Sequence, residues 1–245
     1  LNDELEHTMT QATQVRTADE LKTQSEEYRG AVEKLIISHA INELYGARVF
    51  DEPAVALAPT PYAKWLTCRV AMEEYGHHCR FFELGRQIGI AEDRMLPEKT
   101  AKRPLSMFEF PLQTWEEFVA IKLLADLAEI LQVEDLLHCT FHPLRNLARM
   151  TMPEEKFHHE FGVDFGKELV KTEAGRARLQ AAIDKVFPEI PSFFGRAGSK
   201  NNEMFRRLGI KLRTNEDMRK DYVQRAAKAV EALGLQLPSV ETPVH

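Results

Sequence analysis

Apolar residues recur along this chain at steps of three and four, and no alternation of period two survives for more than a few positions, so the pattern predicts an all-α protein. A first long helix is expected over Ala18–Phe50, with a break near Gly30. The stretch DEPAVALAPTP should end it as a loop, and Thr60-Pro61 should open a second helix that closes at Gly89. Glu92–Pro111, with Pro97, Pro104 and Pro111, reads as a long connection. A third helix starts at Thr114, where Thr114 and Glu117 have the spacing of a capping box, and runs to Leu137. A fourth covers Pro143–Thr172, with Pro153 placed to kink or bulge it. Shorter helices are expected at Ala174–Val186, Asn202–Leu208 and Asn215–Leu233, and the closing LPSVETPVH should be poorly ordered at its extremity. The chain is expected to form one domain over residues 1–245, a bundle over 18–172 with a helical extension over 173–235.

Each of the four long helices carries a polar interruption in its apolar stripe. On the second, Val70, Glu74, His77, Phe81, Leu84 and Ile88 follow one another at helical steps; on the fourth, Leu144, Ala148, Thr151, Glu155, His158, Gly162, Phe165 and Leu169 do the same. These stripes pass through two similar clusters, MEEYGHH at 72–78 and PEEKFHH at 153–159, and select E-x-x-H from each. The first helix places Glu43 among Val32, Ile36, His39, Gly46 and Phe50. The third places Asp126 among Val119, Leu123, Ile130, Val133 and Leu137. Nearly equal stretches separate Glu43 from Glu74 and Asp126 from Glu155, so a helical hairpin is used twice.

A single E-x-x-H is usually a solvated pair on a helix surface. Four carboxylates and two imidazoles in core register are different, because burying them without a counter-charge is costly or forces protonation. An acid from each of two helices and E-x-x-H from each of the other two is the ligand set of a two-iron or two-manganese centre in a four-helix bundle. The candidate ligands are Glu43, Glu74, His77, Asp126, Glu155 and His158. His78 and His159, one position further round, read as surface or supporting residues, and His39 as a support for Glu43 or, less favoured, a satisfied core histidine. Glu129 shares its face with Lys122 and Gln132 and reads as a surface residue. Trp65 and Trp115 read as core or interface aromatics.

Composition narrows the partners. Lys and Arg total 32 against 38 Asp and Glu, a formal net charge of −6, which gives no general reason to expect nucleic acid or an anionic membrane. Cys68, Cys79 and Cys139 are odd in number and lack C-x-x-C spacing, so neither a disulfide framework nor a thiolate zinc site is indicated. No run has the length of a membrane span, and the first residues lack the order of a signal peptide; a cytoplasmic location is expected.

SHAINELYG, APTPYAKWLTCRVAMEEYGHH, FPLQTWEEFVAIKLLADLAEI and PEEKFHHEFG, with IKLRTNEDMRKDYVQRAAKAVEALGLQLP near the C-terminus, resemble the catalytic A subunits of bacterial phenylacetyl-CoA epoxidases. These are ferritin-like di-iron multicomponent monooxygenases, and the resemblance spans most of the chain. In that family the third-helix ligand is aspartate where many ferritin-like proteins have glutamate, and Asp126 matches. The resemblance implies a ferritin-like bundle with two Fe ions, or a Mn/Fe pair, held by the six residues named above, which are then also its catalytic positions. It implies ring epoxidation of an aryl-acyl-CoA substrate with O2, electrons from a separate reductase, and a homologous non-catalytic subunit within an oligomer. Lys211 and Asn215, in KLRTN, are the implied CoA contacts. Two rival readings share the fold: a ferroxidase that handles iron, against which Asp126 and the C-terminal extension weigh, and a scaffold subunit, which should have lost ligands.

Overall fold

The computed structural model describes residues 13–96, 103 and 105–239. Pro97, Pro104 and the C-terminal extremity lie outside the described residues. Within them the chain is all-α, as the periodicity predicts: α1 Ala18–Lys22, α2 Glu26–Gly46, α3 Glu52–Leu57, α4 Pro61–Gln87, α5 Trp115–Leu136, α6 His142–Leu169, α7 Glu173–Val186, α8 Lys200–Arg207 and α9 Asn215–Glu231. The bundle consists of two helical hairpins, α2 with α4 and α5 with α6, which meet across α4 and α6.

Local chemistry sets the boundaries. Thr60 Oγ1 accepts the Ala63 N–H and Pro61 fills the first turn of α4, while Thr114 and Glu117 close the expected capping box on α5. Three expectations are corrected. The first helix breaks at residues 23–25, where Ser25 caps α2, and runs unbroken through Gly30. The chain after Phe50 is not a loop: a π-turn over Ala47–Asp51 leads into α3, so that Pro53 falls in a first turn, where its missing N–H costs nothing. Pro153 leaves α6 continuous over its full length. It sits on the exposed face, where the carbonyl it deprives of a partner can turn to water.

α5 is buried around nearly its whole circumference. Its inner face meets the bundle, and its back is covered by α7, α9 and the 3₁₀ segment Phe187–Phe194. Asp135 anchors this cover, accepting the backbone N–H groups of Leu212 and Arg213 at 3.1 and 3.0 Å and the Arg213 side chain at 3.2 Å. α6 approaches α5 most closely at Gly162, where a Cβ would lie 2.7 Å from Leu123 Cα. Trp115 belongs to the core, stacked edge-on to Phe161 and Phe165, whereas Trp65 stands exposed beside Tyr62.

The apolar interior is split in two. One cluster holds Tyr45, Phe50, Val70, Leu123 and Phe161 with the C-terminal helices; the other holds Val32, Ile36, Phe81, Val133 and Leu144. The candidate ligands occupy the layer between them.

Candidate metal centre

All six predicted ligands converge in that layer, none more than 7% exposed. Two groups of donor atoms form. Glu43, Glu74, His77 and Glu155 make one; Glu74, Asp126 and His158 make the other, with Glu74 common to both. His77 Nδ1 lies 3.0 Å from Glu155 Oε1 and 3.6 Å from both Glu43 Oε2 and Glu74 Oε2. His158 Nδ1 lies 3.1 Å from Glu74 Oε1 and 3.8 Å from Glu155 Oε2.

The doubled glutamates explain the rest of each cluster. Glu154, at the head of the second motif, holds His77 Nε2 at 2.8 Å, and Glu73, at the head of the first, holds His158 Nε2 at 2.9 Å. Each motif's leading glutamate thus orients the other motif's histidine. Against the effect of burial, these histidine hydrogen bonds, with Arg80 beside Glu154 and Arg69 beside Glu73, hold both carboxyls below their ordinary range. The doubled histidines act as struts: His78 Nδ1 bonds Ala40 O at 2.7 Å and His159 Nδ1 bonds Leu123 O at 3.0 Å, each tying its helix to its hairpin partner. His78 is buried and His159 half-buried, so the supporting reading holds and the surface one does not.

Whether metal ions suit this layer is answered by its unsatisfied atoms. His77 Nδ1, His158 Nδ1, both Glu155 oxygens and Asp126 Oδ2 are buried without a hydrogen-bond partner. Buried polar atoms are rarely left so, and here the orphans are lone-pair donors that face one another. A pair of divalent cations satisfies them at once, with imidazole and carboxylate ligands of the type iron and manganese accept. The Nε2–carboxylate bonds are those that fix and strengthen a ligating histidine.

Without cations the layer is electrostatically strained. Burial raises the Glu43 pKa to about 7, against the influence of His77. Asp126 is pushed well above its ordinary range by burial, although Lys122 opposes this. His158 is lifted to about 10, because Glu74 and Glu73 outweigh the opposing effect of burial.

Several participants escaped the sequence reading. Lys122 is 2% exposed, and its ammonium touches Asp51 at 2.8 Å, Glu74 at 2.8 Å and Asp126 at 3.1 Å. Asp51 reaches this place from the π-turn. Glu129 is not a surface residue: it lines a small cavity with Asn42, Glu43, Glu74 and Asp126, walled on the other side by Phe50, Met107, Phe108 and Phe193. The face it shares with Lys122 and Gln132 is interior: Lys122 reaches into the ligand layer, Glu129 lines the cavity, and Gln132 donates to Phe193 O in the C-terminal cover. The spacing of Lys122 and Glu129 from Asp126, one turn on either side, was the available signal.

Lys211 and Asn215 stand apart from the ligand layer. Lys211 Nζ donates to Gln132 Oε1 at 2.9 Å, and Asn215 Nδ2 donates to Arg196 O at 2.9 Å. Among the described residues no helix is long and apolar enough to cross a membrane.

Comparisons with known proteins identify the family. The chain is 25% identical over 216 residues to the A subunit of 1,2-phenylacetyl-CoA epoxidase from Escherichia coli (strain K12), covering 86% of this chain and 70% of that one. Its fold is similar to the solved structure of protein 19 with aldehyde deformylating oxidase activity from Synechococcus, with a TM-score of 0.65, 17% identity, and 86% and 93% of the two chains covered. The model of the family described as phenylacetic acid catabolic protein matches residues 9–244, and the chain belongs to that family.

Proposed function

We propose that the chain is the catalytic subunit of a two-metal monooxygenase that oxidises the ring of an aryl-acyl-CoA thioester, working in the cytoplasm with a reductase and a sister subunit. The observation that carries this is the complete ligand layer: six ligands, both histidines held through Nε2 with Nδ1 free, and five orphaned donor atoms facing inward. A scaffold protein has no need to keep that set. Similarity to the A subunit of an epoxidase supports the reaction class.

Two iron ions bound by Glu43, Glu74, His77, Asp126, Glu155 and His158, or a Mn/Fe pair, would supply the reduction of dioxygen and the transfer of one oxygen atom to the ring. The chain's own residues do the rest. Glu73 and Glu154 keep Nδ1 of each imidazole aimed at the centre. Lys122 Nζ, with three carboxylate partners, holds a proton beside Glu74 and Asp126 where charge changes during turnover. Phe50, Met107, Phe108 and Phe193 give the ring an apolar wall next to the ligands. The cavity there is about 40 Å³, whereas an apolar cavity of about 150 Å³ is known to take benzene, so these side chains must move to admit a ring. Lys211 reaches a CoA phosphate on release from Gln132, and Asn215 shapes the adjoining turn through Arg196. Most of the energy that positions a small ring comes from the remote CoA portion.

The small cavity is the one feature that favours a second reading, a ferroxidase. The test separates the two. Iron-loaded protein, with its reductase and sister subunit, is given O2 and phenylacetyl-CoA, benzoyl-CoA, free phenylacetate or nothing. A product heavier by one oxygen atom, formed from a thioester only, is expected. Rapid iron oxidation and mineral deposition without oxygenated product would establish the ferroxidase instead.

A further inference from the structure

His39, Glu43 and Glu129 form a third group of donor atoms that the ligand set of the pair leaves largely unused, one from each residue lying within 4.8 Å of the others. Glu43 belongs to two groups at once. Its Oε1 faces His39 Nδ1 at 4.0 Å and its Oε2 faces His77 Nδ1 at 3.6 Å.

His39 is 8% exposed and lies flat on Phe81, with ring centroids 4.8 Å apart and planes 9° from parallel. It makes no hydrogen bond among the described residues, unlike His78 and His159, which are satisfied by backbone carbonyls. One of its ring nitrogens is among the three donor atoms of the group. Glu129 likewise has neither a hydrogen bond nor an ion pair there. Beside it in the cavity stands Asn42, whose buried Oδ1 has no partner either. Lys211 is tied to Gln132 and makes no ion pair with Glu43 or Glu129 among the described residues.

Position within the layer suggests the use. His77, His158 and Glu155 are sealed at 0%, 0% and 1% exposure, whereas Glu129 is only half-buried and lines the cavity. Glu43 and Glu129 line the cavity, as do Glu74 and Asp126, whereas neither histidine of the pair does, so a cation in the cavity reaches carboxylates before it reaches His77 or His158. One imidazole with two carboxylates suits Fe²⁺, Mn²⁺ or Zn²⁺ better than Mg²⁺ or Ca²⁺. We propose that His39, Glu43 and Glu129 hold a third divalent transition-metal ion at the mouth of the centre and pass it inward as the shared Glu43 carboxylate exchanges His39 for His77. The proposal rests on the two-metal reading only for the ion's destination.

The test uses the full chain, freed of metal and titrated anaerobically with Co²⁺, with binding followed by calorimetry and filling of the pair by stopped-flow absorption. The unmodified protein is expected to bind two equivalents tightly and a third more weakly. H39Q and E129Q should lose the third equivalent, keep the other two at saturation, and fill the pair about tenfold more slowly or worse. H158A should lose an equivalent from the pair and keep the weak one, which shows that the third site does not depend on a complete pair. Two equivalents in the unmodified protein, with H39Q and E129Q loading at the unmodified rate, overturn the third site and leave the pair standing. No binding by any form, with native circular dichroism, overturns the pair and the third site together.

Discussion

The two hairpins place their ligands alike and pack them differently. Four residues beyond the histidine of E-x-x-H, the first hairpin has Phe81, which fills the space toward α2 by stacking on His39; the second has Gly162, which lets α6 rest on the backbone of α5. Four residues before the upstream acid, the first has neutral His39 and the second has Lys122, whose ammonium already occupies two carboxylates of its own group, Glu74 and Asp126. Pseudo-symmetry in the candidate ligands therefore does not make the two proposed metal positions equivalent. The side of Glu43 and His77 is open to a cation, and the side of Asp126 and His158 must first displace one.

Replacing Lys122 should break this comparison most severely. K122M leaves Asp51, Glu74 and Asp126 buried without their ammonium, and metal-free protein should lose about 3–5 kcal/mol of stability. Binding at the Asp126 side should tighten, so that metal restores more stability to the variant than to the unmodified protein. Denaturant titrations with and without Co²⁺ read both effects; an equal loss in the two forms would show that Lys122 is no competitor.

Glycine substitutions sharpen the contrast between the interfaces. G162A should cost about 3 kcal/mol, because a backbone rather than a flexible side chain must move. G76A, on α4, meets only Arg80 Nη2 at 3.4 Å, and should stabilise by about 0.5–1 kcal/mol. Similar midpoints for the two variants in urea would deny the difference in tightness.

The exchanged glutamates allow a finer probe. E154Q should weaken binding at the His77 side and E73Q at the His158 side, each by about 10–100-fold. The affected position is on the opposite hairpin from the motif altered, which Co²⁺ absorption in the H77A and H158A backgrounds can assign. Loss on the same hairpin would contradict the crossing.

The smallest effect concerns pH. Glu43 at about 7 and Asp51 at about 6 lie above their unfolded values, so the metal-free fold holds protons that the unfolded chain has released. Their contribution is present near pH 4 and is lost as pH rises to about 7. His158, raised to about 10, loses its contribution as pH climbs from about 6.5 through that value. Metal-free stability should fall from pH 5 to pH 8, while metal-loaded protein, its protons displaced, stays nearly level. Parallel curves in thermal unfolding would reject this.

The four long helices and the convergence of all six candidate ligands were legible in the sequence because both depend on local periodicity: a core stripe fixes which Glu and which His of each cluster face inward. The roles of Lys122 and Glu129 were not legible, because charge on a helix face turned into the bundle resembles charge on a wet one, and the Phe193 segment that walls their cavity is distant in sequence. Glu73 and Glu154 were visible as doublets, but their exchange between motifs is a fact of three-dimensional register that no spacing encodes. The segment after Phe50 reads as a loop because Pro53 signals a stop unless the preceding turn changes pitch, and the π-turn over Ala47–Asp51 that does so has no signature in the spacing.

Gly162 also bears on how the centre tolerates change over time. Where two helices are spaced by side chains, a substitution on one can be answered by another on its neighbour, and the gap drifts through a series of near-neutral steps. Where backbone rests on backbone, no such compensating partner exists. The distance between Asp126 on α5 and Glu155 on α6 is set by that contact, about one turn from Asp126 and about two from Glu155, so descendants of this chain can adjust the spacing of the first hairpin through its side chains while inheriting this half of the centre as an unadjustable gauge.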